Sequence, residues 1–128
     1  MRGAIVGLAL VAGSALALAV AFPYGVAFKA ESLGGMPFDP VALPTLKVVA
    51  NGETSGSTGC NRYFGKIAIK GDAVAVGDLA MTRMACFDGA GTNERRFAAA
   101  LGSAKAWRFD GSRLLLETAQ GVLVLVRQ

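Results

Sequence analysis

Histidine is absent from the 128 residues, and cysteine occurs only twice, at Cys60 and Cys86. Without histidine there is no imidazole to activate a serine or cysteine nucleophile. A structural zinc site takes about four ligands, mostly cysteine and histidine, so the chain has too few to build one. The two cysteines are also too far apart for the C-x-x-C spacing of a redox dithiol. Basic clusters are missing as well. The 13 Lys and Arg stand against 9 Asp and Glu, a net charge of +4, yet only Arg95-Arg96 are adjacent. Nucleic-acid binders gather their basic residues and interleave them with aromatics, so nucleic acid is excluded as a partner and the pair reads as a solvated helix face. Carboxylate chemistry fares no better. Asp72 and Asp78 lie in turns where Asp is expected, and no two carboxylates are picked out for glycoside hydrolysis. No metal and no cofactor are expected.

Charge is missing altogether from residues 3–28, behind a short positive start at Met1-Arg2. Residues 4–22 are apolar, and both Ala17-Leu18-Ala19 and Ala19-Val20-Ala21 fit the A-x-A pattern of a signal-peptide cleavage site. Cleavage after Ala21 would leave Phe22-Pro23 at the new terminus. The same stretch approaches the ~20 apolar residues of a membrane span, which would keep Arg2 on the cytoplasmic side. Residues 1–21 are therefore expected to be a signal peptide or an N-terminal membrane anchor, with residues 22–128 as one domain. In the first case the protein is periplasmic or secreted. In the second it is anchored in the inner membrane, faces the periplasm, and touches a membrane only through that segment. With no cysteine near the cleavage region, a lipoprotein anchor is excluded.

The body reads as short strands between glycine turns, with one helix. Val26, Phe28 and Ala30 alternate with Ala27, Lys29 and Glu31, as a half-buried strand requires. Two glycines and two prolines keep residues 34–40 irregular. Residues 46–49 form a strand, Asn51-Gly52 turns the chain, and residues 53–57 return. In residues 63–70, Tyr63, Ile67 and Ile69 share one face while Arg62, Lys66 and Lys70 share the other. Residues 73–76 and 79–84 continue as strands, and residues 87–91 form a loop. The helix is expected at residues 93–103: Thr92 or Asn93 caps it, Glu94 sits at the positive end of its dipole, Phe97 and Leu101 face the core, and Gly102 stops it. Three strands close the chain, at residues 104–109, 113–118 and 122–127. The unbroken apolar run at residues 122–126 is expected at the centre of the sheet. The fold is thus mainly β (α+β), a compact antiparallel sheet or small barrel with one helix.

An even cysteine count in an oxidising compartment favours a Cys60–Cys86 disulfide over two inert thiols or a reactive one. It would close a loop of about 27 residues and stabilise by about 3.5 kcal/mol. Around these cysteines run Gly56-Ser57-Thr58-Gly59-Cys60-Asn61-Arg62-Tyr63-Phe64-Gly65 and Leu79-Ala80-Met81-Thr82-Arg83-Met84-Ala85-Cys86, followed by Glu94, Phe97 and Leu101. In these phrases, from about residue 28 to 127, the chain resembles the META/HslJ family. The resemblance implies a β-rich bacterial envelope domain with one helix and no established catalytic activity, tied to heat shock, novobiocin resistance or secretion.

Within those phrases, Gly56 and Gly59 are expected to take positive φ, and Asn61 to cap the bend. Thr82 and Met84 complete the structural motif. A functional reading gathers Asn61, Arg62 and Arg83 at the rim of a ligand or partner groove, since arginine holds carboxylates and phosphates bidentately. Tyr63, Phe64 and Trp107 line an apolar pocket or belong to the core. The chain is therefore expected to be a non-enzymatic, monomeric envelope domain linked to stress or antibiotic tolerance. Its partner would be a small ligand or an envelope protein. The alternative is a membrane-anchored accessory module for another envelope or secretion protein.

Overall fold

The computed structural model describes residues 20–128, so residues 1–21, expected to be a signal peptide or anchor, fall almost wholly outside the described residues. The body is one antiparallel sheet rolled into a barrel. Its strands are β1 (Phe28–Leu33), β2 (Met36–Pro37), β3 (Thr45–Val48), β4 (Glu53–Ser57), β5 (Arg62–Lys70), β6 (Ala73–Val76), β7 (Ala80–Met81), β8 (Ala106–Asp110), β9 (Arg113–Thr118) and β10 (Gly121–Arg127). One helix, α1 (Asp88–Gly102), enters between β7 and β8. The strand order β10-β9-β8-β6-β5-β4-β3-β1 is closed by β1 pairing back onto β10. Of the two layouts compatible with the sequence, the chain adopts the barrel. β2 extends from β1, and β7 pairs with β5 beyond the end of β6.

Period-two alternation sets which side chains face inward. Tyr63 and Ile67 of β5 are buried while Phe64 and Lys66 face out. Further along the same face, Ile69 packs against the core from a partly buried position. From the facing wall Phe28, Leu114, Leu116, Leu123 and Leu125 fill the interior. The wall is thinnest at the β6–β8 seam. Only Ala73 and Ala106 pair there, helped by bonds from Val74 N–H to the Lys105 carbonyl and from Trp107 N–H to the Asp72 carbonyl, both 2.9 Å.

Different groups close the two ends. At the end where β5 begins, α1 places Phe97 with its ring centroid 5.8 Å from Tyr63 and 6.4 Å from Phe38. At the far end of β5, Trp107 donates its indole N–H to the Gly71 carbonyl at 2.7 Å. Phe22 stands edge-on to Trp107, 5.2 Å between centroids, and Gly25 N–H ties this entering segment to the Val48 carbonyl at 2.7 Å.

Several expectations are corrected. The helix starts at Asp88, not at residue 93, and its N-cap is Phe87, with no side-chain cap bond. Residues 87–91 are therefore mostly its first turn rather than a loop. The glycines that made this turn look irregular permit close packing: a Cβ on Gly91 would lie 2.8 Å from the Cys86 carbonyl, and one on Gly89 would strike the Asp39 carboxylate. Asn93, read as a cap, is instead a buried latch. It accepts from Asp39 N–H at 3.0 Å and donates to the carbonyls of Asp39 and Ala42.

The first strand begins at Phe28, and Val26 precedes it. The strand expected at residues 79–84 shrinks to Ala80–Met81, because Asn61 takes over the backbone of Met84. Met36 and Pro37 pair with β1 inside the loop expected to be irregular. Central β10 has a neighbour on each side, but only Leu123 and Leu125 are buried, so its apolar run is not covered on both faces. Arg96 does not simply face solvent. Its guanidinium stacks 4.5 Å over Phe38 and donates to the carbonyls of Met36 and Pro37 at 2.8 and 3.0 Å.

Candidate functional site

Residues 58–61 fold back on themselves before β5. Thr58 N–H donates to the Asn61 carbonyl at 2.7 Å, and the Thr58 hydroxyl oxygen accepts from Asn61 N–H at 2.8 Å. Gly59 takes the left-handed φ of 101° that this turn needs, and a Cβ there would meet the Ala42 carbonyl at 2.7 Å. Gly56 differs from expectation. It is not among the positive-φ glycines; it lies in β4, where a Cβ would strike the Thr45 carbonyl and stand 2.8 Å from the Tyr63 hydroxyl. Close approach is what excludes a side chain there. Burial pushes the Tyr63 phenol far above its ordinary range, so it stays neutral and donates to the Thr45 carbonyl at 2.7 Å.

The turn swings Cys60 toward Cys86, and the two are joined as a disulfide with their Cα atoms 5.9 Å apart. Cys86 lies two residues ahead of α1, so the bond staples the start of β5 to the start of the helix. Beneath it sits Asn61, only 4% exposed. Its Oδ1 accepts from Met84 N–H at 2.6 Å and from the Thr82 hydroxyl at 2.9 Å. Its Nδ2 donates to Glu94 Oε2 at 2.9 Å and to the Met84 carbonyl at 3.1 Å. Two acceptor sites and two donor hydrogens are the whole capacity of an amide side chain, and all four are used. The Thr58 hydroxyl also donates to Glu94 Oε2, while Thr82 Oγ1 accepts from Arg62 N–H at 3.0 Å. Asn61 is therefore a node joining the turn, residues 82–84 and the helix, rather than a rim residue with free groups.

Beside this node an open groove of about 630 Å³ runs between β7 and the helix, lined by Leu79, Met81, Thr82, Arg83, Met84 and Glu94 among others. Arg83 is exposed on its margin. Arg62 is exposed on the neighbouring strand, with its guanidinium 6.0 Å from the Phe64 ring. The three residues read as a rim thus separate into one buried brace and two outer cations. Tyr63, Phe64 and Trp107 do not converge: Tyr63 and Trp107 are buried toward opposite ends of the barrel, and Phe64 is 50% exposed on the outside. Thr82 contributes a hydroxyl and Met84 a peptide unit to the Asn61 node. The sequence reading missed Glu94, which it had set against the helix dipole. Its partners Thr58 and Asn61 lie 36 and 33 positions away, and no local pattern joins them. Among the described residues no group of three or more His, Cys, Asp or Glu side chains comes together.

A small closed β-barrel with one helix across its mouth, stapled there by a disulfide over a buried asparagine node, defines a class of compact β domain. The chain matches the META domain across residues 21–128 and belongs to that family. Its fold is similar to that of a protein from Burkholderia xenovorans determined by NMR, with 24% identity and a TM-score of 0.66 over 82% of this chain and 83% of the other. A second NMR structure is similar at 24% identity and a TM-score of 0.64, over 79% of this chain and 87% of the other. No curated protein matches the sequence.

Proposed function

We propose that the chain is a non-enzymatic, exported envelope domain with a binding or protective role, linked through its family to stress or antibiotic tolerance. The observation that carries this reading is the contrast within the cysteine phrases. Asn61 is fully occupied as a brace, while the groove beside it stays open, with Arg83 on its margin. Such a groove suits a small polar or anionic ligand held by an exposed guanidinium.

Deleting the gene should sensitise cells to heat or envelope-active antibiotics. Wild type should restore tolerance, whereas a charge-reversed Arg62→Glu/Arg83→Glu variant of unchanged melting temperature should not. A deletion strain indistinguishable from its parent across a broad stress panel would count against the reading. The second reading, an accessory module for another envelope protein, draws on the outer side of β7, which pairs with no strand among the described residues. An extended partner segment adds to such an edge by main-chain hydrogen bonds. Crosslinking with mass spectrometry separates the two, because a small-ligand binder captures no reproducible protein partner.

A further inference from the structure

We propose that the Ala21–Phe22 peptide bond is a processing site, and that the phenyl ring of the newly exposed terminal residue is the plug of one barrel end. The proposal rests on the exported reading above and extends it to a single bond. The sequence offers candidate cuts after Ala17, Ala19 and Ala21, each with alanine at the two positions a signal peptidase reads. The fold separates them. Val20 is 62% exposed and Ala21 is exposed. One residue later Phe22 is only 8% exposed. Its ring stands edge-on to Trp107 at 5.2 Å and tilted to Tyr24 at 5.1 Å. Its carbonyl accepts from Tyr24 N–H at 2.8 Å. The boundary between outside and inside falls on the bond that follows Ala19-Val20-Ala21. A cut after Ala19 would leave two exposed residues with no place in the barrel.

Cleavage is hydrolysis and needs only water: the C–N bond breaks, Ala21 becomes the carboxylate terminus of the released peptide, and the Phe22 nitrogen leaves as an ammonium.

The test is to express the full chain in a bacterium, recover it from the envelope fraction, and record its intact mass and N-terminal sequence. The expected product is one species beginning at Phe22. Ala21→Asp should abolish the product that begins at Phe22. An exported chain beginning at Val20, at Met1 or beyond Phe22 would overturn the proposal and leave the exported reading standing. A full-length chain in the cytoplasm with both cysteines reduced would overturn both. The plug has its own readout, because the chain holds a single Trp. Phe22→Ala should be cut at the same bond yet give red-shifted, more quenchable Trp107 emission; an unshifted spectrum would sink the plug.

Discussion

At the helix end of the barrel, closure is directional. A disulfide, four hydrogen bonds to one asparagine side chain and a buried helix latch each demand a partner at a defined place. At the entering end, closure is mainly aromatic: Phe22, Trp107 and Phe109 meet edge to face, and the indole bond from Trp107 to the Gly71 carbonyl orients the central ring. The first arrangement fixes the backbone of residues 82–84 firmly enough to hold a groove open beside it. The second is flanked by smaller grooves, of about 320 Å³ beside Phe109 and Arg127 and about 250 Å³ beside Tyr24 and Lys66. Function is therefore expected at the braced end, and the plugged end is expected to serve stability alone.

Cutting the staple should have the largest effect. Cys60→Ser/Cys86→Ser releases a loop of sequence separation 26 and should lower the unfolding free energy by about 3.5 kcal/mol, read by urea denaturation. Hydrogen exchange should quicken at residues 84–92 while native Trp107 emission stays put; equal loosening at both ends would break the comparison. Phe22→Ala should cost somewhat less, about 3 kcal/mol, with the reverse pattern of altered Trp107 emission and an undisturbed helix start.

The smallest effect belongs to neither end. On the outer wall Glu31 accepts from Arg113 at 2.9 Å, and that bond holds its carboxyl below the ordinary 4.5. Because the folded value lies below the unfolded one, the contribution is present above about pH 4.5 and is lost as pH falls through the folded value. Glu31→Gln should slightly flatten the acid limb of the stability profile. High salt should erase the difference, since both side chains are about half exposed. A large effect would mean that the wall, and not the ends, limits stability.

The sequence was most legible where structure is local. Alternation along residues 63–70 marked the faces of β5, and Asn51-Gly52 marked a turn whose glycine takes a φ of 90°. The helix start was hidden because Gly89 and Gly91 lower helix propensity, while their value lies in contacts with Asp39 and Cys86 that only the folded chain brings together. The candidate site was legible as a set of names and not as a geometry. Cysteine pairing followed from counting, and the bond is there. Whether Asn61 offers its amide to a ligand or gives it to Met84, Thr82 and Glu94 depends on residues up to 33 positions away, and periodicity is blind to that distance.

The thin β6–β8 seam gains a topological meaning from the disulfide. The chain between Cys60 and Cys86 is a covalent ring that contains all of β5, β6 and β7, whereas β8 lies outside it. The seam is thus the weaker of two borders between the ring and the open chain: one residue pair bridges it, against five between β4 and β5. If the wall parts there first, the ring keeps its three strands in register as a closed circuit. The remaining strands then have an intact template to close upon, so opening at the seam is a reversible breath rather than the start of unravelling.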